Sequence, residues 1–495
     1  MPITLRAALA AAAVLAALVV TAGPAEAGEL IVVKGDSARR VNDPLTPSPR
    51  GLESPRAGGP VAVAGSARGR RAVGRALRKA RRKHQISRSS FNRYVRIYRK
   101  ARRVRKRLHG SRGQELGYVI STLERIALRG RLGPSRMPSW FAEVQRNSTY
   151  WPHRPFPTSG DFVSFGRSEV LYRYFPGRGL QYHPLGTFKR ANLLYGACKG
   201  GVDAPCSKTR LRRLLDEMAR FAVHRARGWI AWEYLFDFGG GSPPWISGMA
   251  DGVGIQALGR AAKLLHKPRY DRIARKALGA YETNAPLGVR TRGFRGGVAY
   301  LQYSFAPHYY VFNAFTQTVI SLYDFSKDGP DERARRLFEP ARAELEREIP
   351  YSDLGDWSMY SYRHEVSDVN YHELLREEMH DACIRHLGDV FCTYAKKYRG
   401  YQVDPPKINL TGPASTSVGH LTRLRFTLSK LSAVELKISR DGRVGLDKIA
   451  TFHRGSGSFS WKPKSRGTYT VRLGAKELRT GKGLKGHDTA TVEVD

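Results

Sequence analysis

Three separated stretches of this 495-residue chain gather aromatic, polar and ionisable side chains. The first is Ser242-Pro243-Pro244-Trp245-Ile246-Ser247-Gly248-Met249-Ala250-Asp251-Gly252, which leads into a helix carrying Arg260. The second is 301–307 (LQYSFAP), continued by 311–315 (VFNAF) and Leu322-Tyr323-Asp324. The third is 357–364 (WSMYSYRH), continued by Asn370-Tyr371-His372-Glu373. Taken singly, each aromatic reads as packing. Taken together they read as the lining of a sugar groove, because aromatic faces stack on pyranose rings while Arg and His hold carboxylates or sulfates. The P-loop, H-E-x-x-H and G-x-S-x-G patterns are absent from the sequence. Gly239-Gly240-Gly241 follows an aromatic segment rather than a clear strand, so it does not read as a phosphate loop.

These stretches resemble the C-terminal domain of the D-glucuronyl C5-epimerase family, which acts on heparosan-type chains. Pro244, Trp245, Ser247, Met249, Ala250, Gly252, Arg260 and Ala261 fit the family's first pattern. Tyr303, Pro307, Asn313, Phe315, Leu322, Tyr323 and Asp324 fit its second, and Tyr360, Arg363, His364, Tyr371 and His372 fit its third. The resemblance covers about residues 155–400. It implies inversion at C5 of a glucuronate within a polymer, giving iduronate, with neither metal nor cofactor. The C5 proton lies alpha to a carboxylate, so that carboxylate must be neutralised for an enediolate-like intermediate to form. One group removes the proton and another on the opposite face returns it. The resemblance gives these roles to Tyr303, Tyr360 and Tyr371. A tyrosine needs nearby cations to act as a base at neutral pH. Arg363 is expected to hold the substrate carboxylate, supported by His364 and His372, with Gln302, Asn313 and Trp245 in the groove. His372 reads equally as a structural histidine.

The sequence departs from the family pattern at Gln302, commonly Glu, at Asp251, Gln in the family, and at Leu375, where the family has His. Two other readings follow: a non-catalytic protein that binds an acidic glycan or cell wall, and a uronate lyase, which also begins by removing the C5 proton.

These side chains need a frame. Apolar residues recur at about 3.6 positions over 211–227, 252–265, 269–284, 312–325 and 333–348, which predicts helices joined by aromatic-rich loops. Before them, 161–165 and 171–175 read as strands, with Pro176-Gly177 as a turn. The expected fold is mainly α: an incomplete α/α toroid preceded by a short β region over 151–404. After Pro405-Pro406, short alternating runs such as 424–428, 434–438 and 469–473, with Asp441-Gly442 as a hairpin turn, predict an immunoglobulin-like β-sandwich over 405–495.

The ends of the chain set the compartment. Arg6 precedes an apolar run over 7–20, and Ala25-Glu26-Ala27 fits a cleavage site, so 1–27 reads as a signal peptide and the protein as secreted, with cell-surface association open. No later segment is apolar enough to span a membrane. Residues 28–66, rich in Gly, Pro, Ser and Ala, read as a disordered linker. Residues 67–150 read as a basic helical hairpin with Ser90 capping its second helix. Its first part, 67–107, holds 19 Lys and Arg and no acid, within a chain of net charge +41. Such a field attracts acidic polymers, or is simply a solvated helix face. Export argues against nucleic acid and for a glucuronate-containing polysaccharide as partner. In an oxidising compartment Cys198 with Cys206 and Cys383 with Cys392 read as local disulfides, four buried thiols being the alternative.

Overall fold

The computed structural model describes residues 28–48, 66–329, 331–362 and 365–495. The expected signal peptide, residues 49–65 of the expected linker, and Arg363 and His364 lie outside the described residues. The first described segment differs from the sequence expectation. Strands β1 (Gly28–Lys34) and β2 (Ser37–Asp43) form an antiparallel hairpin where a disordered linker was expected from residue 28. The averaged composition of 28–66 hides the run GELIVVK, whose Leu30, Ile31 and Val33 are buried.

The basic region resolves into four helices, α1 (Ala67–Arg82), α2 (Arg88–Arg107), α3 (Gly110–Leu128) and α4 (Met137–Tyr150). Ser66 caps α1 by accepting from the Gly69 amide at 2.8 Å. Ser87, not Ser90, caps α2, accepting from the Ser90 amide at 3.1 Å. Val73 and Leu77 of α1, and Tyr94 and Ile97 of α2, are buried as α1 packs on α3 and α2 on α3 and α4. The pair is thus joined to the main core.

Strands β3 (Phe162–Phe165), β4 (Tyr172–Phe175) and β5 (Gly179–Tyr182) complete a five-stranded sheet of order β2-β1-β3-β4-β5. The sheet is tied to the helices by buried polar groups. Glu115 of α3 accepts from the Tyr174 hydroxyl at 2.8 Å and the Gly177 and Gly179 amides at 2.9 and 2.6 Å. Asn147 of α4 bonds both backbone groups of Leu180, at 2.7 and 2.9 Å.

Four helix pairs follow: α5 (Pro184–Ala197) with α6 (Lys208–Phe221), then α7 (Gly248–Leu264) with α8 (Pro268–Ala277), after short β6 (Val223–His224) and β7 (Ile230–Ala231). A short α9 (Gly279–Glu282) and the hairpin of β8 (Arg290–Arg292) and β9 (Val298–Tyr300) lead to α10 (Phe312–Asp328), which pairs with α11 (Glu332–Glu348). The hairpin of β10 (Met359–Ser361) and β11 (Glu365–Val366) leads to α12 (Val369–Ile384), paired with α13 (Asp389–Val403). The first helices of the pairs, α5, α7, α10 and α12, pack in a row. Gly254 and Gly259 let α7 sit in that row, because a Cβ on either would meet the Phe188 ring of α5 at 2.7 Å or the Phe325 ring of α10 at 2.6 Å. The helix expected over 211–227 ends at Phe221, where the chain turns to pair Val223 with Ala231. Disulfides Cys198–Cys206 and Cys383–Cys392 close the turns of the first and fourth pairs.

The last eight strands are β12 (Ile408–Gly412), β13 (Ser415–Thr416), β14 (Thr422–Leu428), β15 (Ser432–Arg440), β16 (Arg443–Phe452), β17 (Gly455–Trp461), β18 (Gly467–Glu477) and β19 (Lys485–Val494). They form one sheet of order β12-β14-β17 and another of order β13-β19-β18-β15-β16. Alternate residues of β14 and β15 enter a separate core with Val471 and Leu473. Asp441 and Gly442 make the expected tight turn, both with positive φ.

Candidate functional site

The loops that precede the row helices α7, α10 and α12 meet at one end of the row. Two of them are laced by backbone groups. The Gly248 amide donates to the Leu301 carbonyl at 2.9 Å, the Ser304 amide to the Ile246 carbonyl at 3.0 Å, and the Ile246 amide to the Ser304 hydroxyl at 3.2 Å. Strand β10 is fixed to the loop before α10 by a bridge between Val311 and Ser361 and by the Tyr362 amide bonding the Tyr310 carbonyl at 2.9 Å.

This lacing brings the three expected tyrosines together. Tyr303, 6% exposed, packs among Phe238, Trp245 and Phe305 at ring-centre distances of 5.4, 5.7 and 5.6 Å. Tyr360 on β10 bonds to Tyr303 through its side chain, and its ring lies 4.5 Å from that of Tyr371. Tyr371 stands in the first turn of α12, which Asp368 caps by accepting the Tyr371 amide at 2.9 Å. Burial, followed by the neighbouring Tyr303, Tyr371 and Tyr309, raises the Tyr360 pKa well above its ordinary value. The cation expected to lower it, Arg363, is one of the two residues outside the described set here.

Two further residues, which the sequence reading did not single out, stand beside the cluster. The Tyr309 ring is 6.1 Å from that of Tyr303 and 6.4 Å from that of Tyr360. Its hydroxyl donates to Glu365 Oε2, which also accepts from Ser361 Oγ at 2.8 Å. Burial first, and then Glu365, push the Tyr309 pKa up. Tyr309, Ser361 and Glu365 line a cleft of about 320 Å³ with Pro307, His308 and Tyr362. The available signal was position: Tyr309 lies between two matched segments, and Glu365 directly follows the Arg363-His364 pair.

Other expected site residues take different places. His372 sits within the framework of α12 and α13. It is fully buried and stacks on Trp357 at 3.7 Å. Its Nδ1 accepts from the Ser358 hydroxyl at 2.8 Å and amide at 3.2 Å, and its Nε2 donates to the Tyr398 carbonyl at 3.1 Å. Burial pushes its pKa down to about 4. Trp245 is likewise packing: it is 2% exposed, stacks on Tyr234 at 4.1 Å and donates its indole N–H to the Phe236 carbonyl at 2.8 Å. It supports Tyr303 and presents no face to a groove. Gln302 is buried, its Oε1 taking a long 3.4 Å bond from the Ser247 hydroxyl. Asn313, in the first turn of α10, is buried, and its Oδ1 has no hydrogen-bond partner among the described residues.

Arg260 and Asp324 form a second polar centre nearer the opposite ends of the row helices. Asp324 accepts from Arg260 at 2.8 Å, from Gln256 at 2.7 Å and from Arg385 at 2.8 and 3.2 Å. This network clamps α7, α10 and the end of α12 together. Among the described residues, no three His, Cys, Asp or Glu are grouped so as to hold a metal ion, and no helix is long and apolar enough to cross a membrane.

Comparison with known proteins finds similarity over part of this chain. Residues 227–400 match the family described as D-glucuronyl C5-epimerase C-terminus. Over 134 residues the chain is 33% identical to a D-glucuronyl C5-epimerase of Caenorhabditis elegans, a match spanning 25% of this chain and 22% of the relative. The chain therefore covers about a fifth of that relative's length. Among solved structures, similarity extends to cellobiose 2-epimerase from Spirochaeta thermophila, at 14% identity, 55% of this chain, 70% of that one and a TM-score of 0.34. It extends also to a CARDB domain from Pyrococcus furiosus, at 11% identity, 19% of this chain, 97% of that one and a TM-score of 0.14. The basic helices and the C-terminal sheets lie outside the family match.

Proposed function

We propose that residues 227–400, which belong to the D-glucuronyl C5-epimerase C-terminal family, make this protein a secreted isomerase that converts D-glucuronate to L-iduronate residues within an acidic polysaccharide. On this reading the four helix pairs are an incomplete α/α toroid, and the two C-terminal sheets an appended immunoglobulin-like sandwich. The observation that carries the proposal is the convergence of Tyr303, from the second stretch, with Tyr360 and Tyr371, from the third, next to the cleft that Tyr309, Ser361 and Glu365 line.

The chemistry needs a tyrosinate on one face of the uronate ring and a tyrosine hydroxyl on the other. The tyrosinate takes the C5 proton, the C–H electron pair passes into the carboxylate as an enediolate, and the opposite hydroxyl returns a proton to C5. Arg363 is assigned to the substrate carboxylate, whose charge must be matched for the enediolate to form. Glu365 holds the Tyr309 hydroxyl at the cleft wall and supplies a carboxylate beside a cluster in which position 302 is Gln.

Incubation with heparosan in D₂O tests this. Deuterium should appear at C5, and Tyr360→Phe should lower its rate by about 10²–10⁴-fold, the scale of a lost acid or base. An unsaturated uronate product would identify a lyase instead. The raised pKa of Tyr360 favours one rival, a glycan-binding protein without turnover. Absence of exchange on any uronic polymer, with binding retained, would establish that rival.

A further inference from the structure

The chemistry above leaves the basic helices without a role, yet they enclose a built groove. Because α1 rests on α3 and α2 rests chiefly on α4, a cavity of about 730 Å³ opens between α1 and α2. Its apolar lining includes Val73 and Leu77 of α1 and Phe91 and Val95 of α2. Arg70 and Arg78 line it from one helix, and Arg99, Arg103 and Lys106 from the other, all five exposed. No Asp or Glu occurs between residues 67 and 107 to neutralise them. The carboxylates of the neighbouring helix α3 are engaged inside. Glu124 accepts from the Tyr98 hydroxyl and the Ser66 amide, and Glu115 is held by Tyr174, Gly177 and Gly179.

The arrangement specifies the ligand. Arg99, Arg103 and Lys106 recur about once per helical turn, or about 5.4 Å. Such a row suits anionic groups repeated along a polymer and exceeds the need of a single phosphate. The apolar lining suits the faces of sugar rings, with the Phe91 ring as a stacking surface. We propose that the α1–α2 groove is a second polysaccharide site, outside the family-matched segment, that holds a strand of an acidic polysaccharide with its carboxylates against the arginines. The choice of a uronic polymer among polyanions rests on the tyrosine-cleft reading, whereas the groove itself does not.

The experiment uses the full chain and heparosan as probe, with binding measured separately from turnover. The variant Arg78→Gln/Arg99→Gln/Arg103→Gln/Lys106→Gln removes four exposed charges while keeping helix-forming residues. Each lost cation should reduce the slope of log K against log salt by about 0.7, so the slope should become shallower by about three. Heparosan binding at about 50 mM salt should weaken at least tenfold. C5 exchange on a tetrasaccharide should be unchanged, while KM on the polymer rises. Arg99→Lys, which keeps the charge, should bind like wild type. Unchanged affinity and slope in the four-site variant would overturn the proposal. So would tight binding of oligo(dT) or phosphatidylglycerol vesicles that heparosan cannot displace. Groove-dependent heparosan binding without C5 exchange would sustain the groove and defeat the epimerase reading, while exchange with a groove-independent salt slope would do the reverse.

Discussion

His372 offers the sharpest test of framework against site. Its ring is fully buried, with Ser358 on one nitrogen and the Tyr398 carbonyl on the other. Burial, and then the charges of Arg376, Arg479 and Lys430, hold its pKa down to about 4, against the opposing pull of the Tyr398 carbonyl. The unfolded chain has an ordinary histidine near 6.5. The folded value is therefore depressed: stability from this group is fully present above pH 6.5 and is lost as pH falls toward 4. At pH 5, about 1.5 units below the unfolded value, the loss is about 2 kcal/mol relative to pH 8. His372→Gln cannot titrate. It should cost about 1–3 kcal/mol at pH 8 through the broken hydrogen bonds, and its stability should fall about 2 kcal/mol less than wild type between pH 8 and pH 5. Denaturant unfolding at the two pH values reads the difference. An NMR titration of the His372 ring should show no protonation down to about pH 5, with or without a heparosan oligosaccharide. A ring titrating near 6.5, or one shifted by the sugar, would return His372 to the substrate site and refute the framework assignment.

Other expectations follow from the same contacts. Glu365→Gln removes the charge that the Tyr309 hydroxyl faces, so the Tyr309 pKa should fall, read as tyrosinate absorbance. C5 exchange should slow by about tenfold, the lower end for a charge-assisted bond because Glu365 is exposed. An unchanged titration would remove Glu365 from the cleft chemistry. Asp324→Asn should destabilise the helix row by about 3 kcal/mol, since it strands Arg260 and Arg385. Its heparosan affinity should match wild type, and a lost affinity would bring Asp324 back to the site. Replacing Cys383 and Cys392 by Ser should cost about 2–3 kcal/mol by loosening the unfolded chain, read from denaturation midpoints. Peptide mapping without reductant should recover both expected pairs and no free thiol.

Periodicity located the helices that carry the site, because each buries a long apolar face. Residues 312–325 and 333–348 were legible as helices and correspond to Phe312–Asp328 and Glu332–Glu348. Boundaries set by tertiary pairing were not. The helix ending at Phe221 has apolar residues beyond it, but Val223 is drawn into a strand pair with Ala231. The hairpin 28–43 was missed because a strand of seven residues disappears in an average taken over a Gly- and Pro-rich segment. Val73, Leu77, Tyr94 and Ile97 of the basic helices are part of the common core, so deleting 67–110 would uncover α3 and α4.

The roles within the site depended on where each hydroxyl proton goes, which residue type does not encode. The chain has 24 tyrosines, and several near the site are fully buried framework groups. Tyr281 donates to the Gly248 carbonyl at 2.6 Å and Tyr300 to the Leu337 carbonyl at 2.8 Å. A hydroxyl that donates to a backbone carbonyl faces an acceptor that does not change protonation, so its proton is fixed. Tyr303 and Tyr360 bond to each other, and Tyr309 bonds to a carboxylate. Those partners can themselves gain or lose a proton, so charge can be redistributed among them. The same distinction separates His372 from the cleft. Its Nε2–H is directed at a backbone carbonyl and its Nδ1 is held by a serine and an amide, so a neutral ring is the state that satisfies its surroundings. On the proposed reading, proton transfer falls to the hydroxyl cluster and its carboxylate, while the histidine holds Ser358, two residues before Tyr360, against α12 and α13.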